Sequence, residues 1–371
     1  MDRFSEKYKL FYNVVGEYSD NPYISITRTL DTVTKIVIPS EIDGIPVKYI
    51  AKGAFERHKN LVEVEIKEGV TIIGKSAFER VPNLQKITFP HSLKTIEDDA
   101  FIGCKKLINV ITQEGLEEIG ECAFANCPFK KFDFPDSLTR IDKKAFAYTE
   151  LQCINLGKNL ETIRSRAFAY LKNLETITFN ECLKSIEDFA FLNCVKLKDI
   201  KIPDSVENIS ESIVEGCTNL ESFHFGANTA LPYASLGFAF ECKSLSKITV
   251  SADNKRYKVI DGILYDTQTN GLVVVPATLD IKHINIPKWI KGLYPFCFVD
   301  NKNIETIKFN HHHIGGLYDS FQYGQNITIV CPADSEIYKF AKENNINVRT
   351  SESQINTFLE ELNEEKTEKN I

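Results

Sequence analysis

The feature that most constrains this chain is a sequence repeat of about 23 residues. Its clearest copy runs from Leu84 to Cys104, LQKITFPHSLKTIEDDAFIGC. An Ala-Phe pair recurs at nearly constant steps, with its phenylalanines at Phe55, Phe78, Phe101, Phe124, Phe146, Phe168 and Phe191. A fixed period of this length is typical of a solenoid, in which each turn packs only on its neighbours.

The offsets within one turn predict its local structure. Ile87 and Phe89 alternate with Lys86 and Thr88, which is the period of a strand with one buried face. Pro90 ends that strand because proline has no N–H for the ladder. A second apolar pair returns the chain along the other side, and the Ala-Phe pair fills the space between the two sides. We therefore predict that the seven phenylalanines form one buried structural ladder.

The repeat continues in degraded form, so that its frame predicts about eleven turns. The later copies are Ile213-Val214, Ala239-Phe240, Cys297-Phe298 and Ser320-Phe321. Because a solenoid grows by adding turns, 371 residues need not divide into several globular domains. The predicted fold class is a single β-rich, right-handed solenoid with an N-terminal and a C-terminal cap.

Breaks in the repeat predict the domain organisation. Asp261-Gly262 and Asn270-Gly271 lie between apolar runs and predict β-hairpins. The predicted segments are an N-terminal cap (1–32), the repeat solenoid (33–250), a β-hairpin insertion within the solenoid (251–283), the final repeats (284–332), a C-terminal cap (333–350) and an acidic tail (351–371). We expect the tail to be a fraying helix or disordered, with Ile355, Phe358, Leu359 and Leu362 on one helical stripe.

The consensus L-x-x-I-x-I/F-P-x-S-L-x-x-I-x-x-x-A-F-x-x-C resembles the BspA-like, or treponemal-type, leucine-rich repeat family from about Val33 to Cys331. The resemblance implies a curved solenoid with a parallel sheet on its concave side. It also implies similarity to cell-surface adhesins that bind host or extracellular-matrix proteins. The chain departs from the consensus at Phe129, which replaces leucine, and at Gln113 and Asn180, which replace proline.

Charge and hydropathy exclude two classes of partner. The formal net charge is −7, and basic residues are interspersed with acidic ones, so no basic stripe for nucleic acid is present. No run of about 18 apolar residues predicts a membrane span. The first residues lack the apolar core of a signal peptide, which favours the cytoplasm, whereas the resemblance favours the cell surface by unconventional export. Both locations stay open.

The ten cysteines include four at one repeat position, Cys104, Cys127, Cys194 and Cys217, and no C-x-x-C pair. We interpret them as small buried apolar residues in a reduced compartment. The alternative is a disulfide between adjacent turns, Cys104 with Cys127 or Cys194 with Cys217.

The sequence predicts no enzyme, no cofactor and no metal site. The His311-His312-His313 run is the most obvious group of ligand side chains, but alternate strand residues point to opposite faces and no further ligand follows at a suitable spacing. Asp98-Asp99 and Glu117-Glu118 lie at variable repeat positions on turns, where no cleft is expected.

The remaining candidate is the concave row of side chains that flank the buried strand residues. The predicted binding residues are Glu63, Glu65, Lys86, Thr88, Asn109, Lys131, Asp133, Asn155, Thr176, Thr178, Asp199, Lys201, His224 and Lys247. The row lacks the Trp, Tyr and Arg typical of binding hot spots, so a solvated sheet face is the alternative. We predict a protein-protein interaction module with an unidentified protein partner; the alternative is a structural or self-associating scaffold inside the cell.

Overall fold

The computed structural model describes residues 2–210, 212–232, 237, 239–298, 300–321 and 326–350. The helical stripe predicted for the acidic tail lies outside these residues. In the rest of the chain the predicted solenoid is confirmed, with parallel strands, few helices and a repeat spacing of about 23 residues.

The N-terminal strands form an antiparallel meander that joins the solenoid. Leu10, Tyr12, Ile24 and Ile26 are buried on one face, as their alternation with polar residues predicts. The third strand pairs in parallel with the sixth, so the meander covers the first turn. These strands are β1 (Arg3–Ser5), β2 (Leu10–Val15), β3 (Tyr23–Thr29), β4 (Lys35–Ile38), β5 (Glu41–Ile42) and β6 (Ile45–Ile50).

Most regular turns contain a first strand of three or four residues and a second strand of two residues. The strands of these turns are β7 (Glu63–Ile66), β8 (Ile72–Ile73), β9 (Lys86–Thr88), β10 (Thr95–Ile96), β11 (Asn109–Ile111), β12 (Glu118–Ile119), β13 (Arg140–Ile141), β14 (Cys153–Asn155), β15 (Thr162–Ile163), β16 (Thr176–Thr178), β17 (Ser185–Ile186), β18 (Asp199–Lys201), β19 (Asn208–Ile209), β20 (Ser222–Phe225) and β21 (Lys247–Val250).

The C-terminal part contains the hairpin strands and the last turns. Its elements are β22 (Tyr257–Ile260), β23 (Ile263–Asp266), β24 (Gly271–Val274), β25 (His283–Ile286), β26 (Gly292–Leu293), β27 (Thr306–Phe309), α1 (Leu317–Ser320), β28 (Thr328–Cys331), α2 (Glu336–Glu343) and β29 (Asn347–Thr350). Helix α2 begins after Ser335, whose hydroxyl accepts the N–H of Tyr338, and it buries Ile337, Phe340 and Ala341.

The short second strands build the more continuous of the two solenoid sheets. They continue the N-terminal meander into one twelve-stranded sheet that reaches β19. The first strands form separate sheets, β4 to β11, β14 with β16, and β18 to β21. The first strands are therefore divided among separate sheets, whereas the two-residue second strands form one continuous sheet through the repeat.

The phenylalanine ladder lies between the two sets of strands. All seven rings are at most 2 % exposed. Neighbouring rings stack with centroids 4.8–5.9 Å apart and interplanar angles of 3–17°. Backbone hydrogen bonds join the same turns. The N–H of each ladder residue donates to the carbonyl of the residue that precedes the ladder residue of the next turn, as Phe78 does to Ala100 at 2.7 Å.

The first gap between the first-strand sheets, between β11 and β14, coincides with the departure at Phe129. Cys127 and Phe129 are separated by one residue, whereas Cys104 and Leu107 are separated by two, so this turn is shorter by one residue. Phe129 and Phe132 are buried and meet the ring of Phe124 edge-on, at 5.7 and 5.4 Å. No strand forms at 131–133, where these larger rings pack beside the backbone. The turn of Phe146 is also shorter by one residue and still forms β14, so the length of the turn alone does not interrupt the sheet.

A second departure is accommodated by hydrogen bonding. Asn180 stands at a proline position and is 8 % exposed. Its amide nitrogen donates to the carbonyls of Gly157 at 2.7 Å and Leu160 at 3.1 Å in the preceding turn, while its oxygen accepts the N–H of Cys182 at 2.8 Å. Asn254 and Asn301 bridge successive turns in the same way. At Asn180, a buried asparagine therefore joins two turns at a position where proline is missing.

The turn near residue 240 differs from the prediction that Phe240 holds the ladder position. In the turn of Phe101, residues with positive φ lie two before and two after the ladder residue, at Asp99 and Gly103. In the later turn these are Gly237 and Glu241, which makes Ala239 the ladder residue. Phe240, predicted to hold that position, instead contacts Phe296 at 5.2 Å.

The structure also has about 14 turns, more than the eleven that the frame predicts. The first strands β21 and β28 lead into the hairpin strands and helix α2, and the turns that they begin lack an Ala-Phe pair. In these turns hairpin and helical residues fill the space beside the strand, so a count of Ala-Phe pairs misses them.

A buried ion pair anchors the hairpin strands. Asp266 is fully buried and accepts hydrogen bonds from Arg256 at 2.8 and 2.9 Å and from the Tyr294 hydroxyl at 2.8 Å. Burial alone would raise the pKa of this carboxyl, but the hydrogen bonds from Arg256 and Tyr294 hold it below its ordinary value. Asp266 thus links β23 to the turn that follows β26.

Candidate functional site

The strand face consists of the outward side chains of the first strand in each turn. All fourteen predicted binding residues are exposed or half-buried. They alternate with buried residues except at Thr176 and Thr178, which flank the half-buried Ile177. Parallel register places equivalent residues beside each other, for example Lys86 between Glu63 and Asn109. The strand face is therefore a set of side-chain rows fixed by the backbone.

The N-terminal part of the strand face is a chain of opposite charges. The Glu63 carboxylate lies 2.8 Å from the ammonium of Lys86 and 3.0 Å from that of Lys35. Hydrogen bonds from these two ammonium groups lower the pKa of Glu63. Glu65, on the same strand as Glu63, lies beside Thr88 of β9. Asn109 is exposed on β11, the last first strand before the gap at 131–133.

The gap at 131–133 interrupts the strand face. Lys131 and Asp133 are exposed there and pair with each other at 2.8 Å. Beyond the gap the face is uncharged, because Cys153 and Asn155 lie beside Thr176 and Thr178, and all four are exposed.

The C-terminal part of the strand face contains hydrogen-bonded pairs. Asp199 accepts the Ser222 hydroxyl, and a ring nitrogen of His224 lies 2.8 Å from the Thr249 hydroxyl. Burial, together with the charge of Lys201, lowers the pKa of His224, which is therefore mainly neutral at pH 7. Lys247 is exposed beside Ser222.

A groove of about 180 Å³ lies along the second strands. Its lining residues are Lys75, Thr95, Ile96, Glu97, Asp98, Glu118, Ile119, Gly120, Arg140 and Asp142. Four of its six charged side chains form ion pairs with each other, Lys75 with Asp98 at 3.5 Å and Arg140 with Asp142 at 2.7 Å. The Asp98-Asp99 and Glu117-Glu118 pairs do not form a pair of free acids, because Lys75 also lies 3.8 Å from Asp99 and Lys94 lies 2.7 Å from Glu117.

The ten cysteines are free thiols. Those at the repeated position donate to the carbonyl of the ladder residue in the preceding turn, Cys104 to Phe78 at 3.0 Å and Cys127 to Phe101 at 3.1 Å. Cys194 and Cys217 make the same contact at 3.2 Å. Thus the thiol packs like an apolar group and also satisfies a buried carbonyl.

The three consecutive histidines make separate contacts with neighbouring turns. His311 lies 3.3 Å from the Lys288 carbonyl, His312 lies 3.3 Å from Asp334, and His313 pairs with Glu336. In the part of the chain that the structure describes, no group of three or more His, Cys, Asp or Glu side chains is arranged to hold a metal ion.

Exposed aromatic side chains lie outside the strand face. Tyr148 is 51 % exposed and stacks on Tyr170, with centroids 4.4 Å apart and an interplanar angle of 5°. Trp289 is 38 % exposed and contacts Tyr265 at 5.5 Å. The sequence reasoning considered only strand positions and missed the tyrosine pair. Their identical position, two residues after the ladder phenylalanine in consecutive turns, is the signal that would have found it.

The repeat geometry agrees with a comparison of the sequence with known families. A family described as BspA type leucine rich repeat region matches, in six copies, residues 29–152, 139–260 and 277–360. The chain belongs to the BspA type leucine rich repeat family. The resemblance inferred from the consensus is thus confirmed, and this BspA-type protein is a repeat scaffold of the kind that usually serves protein interaction.

Solved bacterial leucine-rich repeat proteins share this fold. A leucine-rich repeat protein from Bacteroides ovatus is 23 % identical with a TM-score of 0.60, over 92 % of this chain and 98 % of its own. A leucine rich cell surface protein from Faecalibacterium prausnitzii is 19 % identical with a TM-score of 0.53, over 95 % of each chain. No curated protein matches the sequence.

No helix among the described residues is long and apolar enough to cross a membrane.

Proposed function

We propose that this BspA-type solenoid binds a protein partner through its strand face. The observation that supports the proposal is the parallel register, which holds outward side chains in fixed rows across consecutive turns. A partner would meet a rigid surface, so little side-chain entropy would be lost on binding. Charged pairs lie towards the ends of this surface and uncharged side chains at Asn155, Thr176 and Thr178 lie between them.

We further propose that the partner is a host or extracellular-matrix protein met at the cell surface. Family membership supports this proposal, and the Faecalibacterium prausnitzii relative of the same fold is described as a cell surface protein. The solenoid would act without chemistry, since binding requires only area and complementary groups.

The experiment is capture of proteins from solubilised basement-membrane matrix by the immobilised full chain. The test variant carries Lys86→Glu, Lys131→Glu and Asp133→Lys, which changes the pattern of charge on the strand face. We expect capture to fall while the thermal midpoint changes little, because exposed charges contribute roughly 0–1 kcal/mol to stability.

A matched variant carries Lys94→Glu, Lys184→Glu and Glu161→Lys, three exposed charges away from the first strands. It should capture as much protein as the parent chain. Equal loss in both variants, or none in either, would contradict binding through the strand face.

Self-association is the second candidate, and open strand edges favour it. Among the described strands, β4 pairs only with β7, and β29 pairs only with β28. Each therefore has one edge without a strand partner, which is a template for another chain. Sedimentation velocity over a concentration series distinguishes the two candidates: a concentration-dependent oligomer supports the scaffold, and a monomer at all concentrations excludes it.

A further inference from the structure

Two rows of side chains border the buried ladder, one two positions before and one two positions after each ladder residue. Both positions have positive φ, for example 55° at Lys144 and 62° at Tyr148, on either side of Phe146. The N–H groups of these three residues all donate to carbonyls of the next turn, at 2.9–3.1 Å. The left-handed backbone is therefore required by the stacking of turns and not by the side chain that occupies it.

Most turns of the middle region use residues that suit this conformation in the later row. Gly103, Asn126 and Asn193 occupy the position in neighbouring turns. Glycine and asparagine tolerate positive φ, whereas a bulky side chain there is disfavoured. Tyr148 and Tyr170 nevertheless both hold φ at 62°. Arg57, Arg80 and Glu241 also hold positive φ in this row, so the backbone alone does not distinguish the tyrosines. They are distinguished by the stacking of two aromatic rings from consecutive turns.

The two tyrosines form a continuous aromatic surface. Their rings are parallel, with centroids 4.4 Å apart, and the Tyr148 side chain is half exposed. The stacking fixes both rings before any partner arrives, so binding would immobilise few rotamers. Tyrosine is among the residues most enriched in binding hot spots.

Two cations lie in the earlier row of the same two turns. Lys144 is exposed and Arg166 is half-buried, with its guanidinium 4.6 Å from the ring of Phe189. Within the described residues neither side chain forms an ion pair with a carboxylate. In the two bordering turns the earlier row holds Cys122 and Phe189, which carry no charge at neutral pH. Each of them is preceded by an acidic residue, Glu121 and Asp188 respectively. Among these consecutive turns, the earlier row is therefore positive only where the tyrosines occur.

We propose that this tyrosine patch, formed by Lys144, Tyr148, Arg166 and Tyr170, binds an acidic, proline-containing extended segment of a partner protein. Proline rings pack on exposed aromatic faces, and carboxylates pair with ammonium and guanidinium groups. The acidic residues on both sides limit the segment to a short stretch, because a longer acidic chain would meet like charges. The tyrosine patch is separate from the strand face, so the inference does not depend on the function proposed there.

The test measures fluorescence anisotropy of a labelled Glu-Pro repeat peptide of about twelve residues with the full chain. Lys-Pro peptide and dextran sulfate serve as comparison ligands. The first variant, Tyr148→Asn with Tyr170→Asn, uses the residue that the chain has at Asn126 and Asn193. The second, Lys144→Ser with Arg166→Ser, uses the residue that the earlier row has at Ser76. Lys94→Ser, an exposed lysine outside both the tyrosine patch and the strand face, is the control.

The Glu-Pro peptide should bind, more weakly at higher salt, and the Lys-Pro peptide should not. The asparagine variant should lose about tenfold in affinity without a lower thermal midpoint, and the serine variant about fivefold with a reduced salt dependence. The Lys94→Ser control should stay within about twofold of the parent affinity. Absence of binding up to about 1 mM, or affinity unchanged in both patch variants, would overturn the proposal. Patch-dependent binding of dextran sulfate without binding of the Glu-Pro peptide would overturn it in favour of a sulfated polysaccharide.

Discussion

Replacing Phe124 by alanine tests whether the ladder stabilises the solenoid turn by turn. The Phe124 ring is fully buried, with Phe101 at 5.1 Å and Phe146 at 5.5 Å in the stack and Phe129 and Phe132 against its edge. A buried Phe→Ala change costs about 3–5 kcal/mol. Each aromatic pair contributes roughly 0.5–1.5 kcal/mol beyond burial, so four lost pairs place this site at the upper end, near 5 kcal/mol.

Hydrogen exchange is the appropriate assay, because a long repeat array need not unfold in two states. The N–H of Phe101 donates to Ala123 at 2.7 Å, and that of Phe124 donates to Ala145 at 2.8 Å. If the local opening free energy falls by about 3–5 kcal/mol, exchange at these amides should accelerate by roughly two to three and a half orders of magnitude.

Distance from the cavity provides the internal control. Each turn contacts only its neighbours, so amides of β27 and β28, many turns away, should exchange within about twofold of the parent rate. Phe124→Leu should give a smaller acceleration than Phe124→Ala, because leucine leaves less empty volume. Acceleration below about tenfold at Phe101, or an equal acceleration throughout the chain, would refute the ladder as a local source of stability.

Three further perturbations follow from buried polar contacts. Asp266→Asn should destabilise the hairpin region by about 3 kcal/mol, because Arg256 would lose its buried partner. Since the pKa of the Asp266 carboxyl is lowered in the folded protein, the stability that it contributes is present above about pH 4 and is lost as the pH falls further. The thermal midpoint of the variant should therefore fall less on acidification than that of the parent chain. Asn180→Ala should lower the local opening free energy, measured by hydrogen exchange at Cys182, by about 1–3 kcal/mol, since two carbonyls and one N–H lose their partner. Native titration with a thiol reagent should label Cys153 and Cys182 rapidly and Cys104 only after denaturation; rapid native labelling of Cys104 would contradict its burial.

The sequence by itself determined the solenoid. A nearly constant repeat period, an alternating strand pattern and one Ala-Phe pair per turn are local properties, and a repeat that contacts only its neighbours is specified by local properties. The buried sides of the strands and the position of Phe124 between Phe101 and Phe146 follow from that period. The strand face was predictable for the same reason, because alternation alone assigns Lys86 and Thr88 to the outside.

The sequence did not reveal how consecutive turns differ. Phe129 breaks the first-strand sheet, and Ala239 takes the ladder position in place of Phe240. Neither outcome follows from the repeat period, since the turn of Phe146 is as short as that of Phe124 and still forms the first strand β14. The repeat pattern gives the spacing of residues along the chain, but it does not describe how large rings fit between two sheets.

Only the tertiary structure placed Tyr148 on Tyr170 with Lys144 and Arg166 in the adjacent row. These residues have positive φ because their N–H groups donate to the next turn, and that backbone directs exposed side chains from separate turns into one patch. A pattern of apolar periodicity is silent on such residues, because burial sets the period and exposed positions do not contribute to it. Contacts between exposed side chains on different turns are decided by the stacking geometry of the turns.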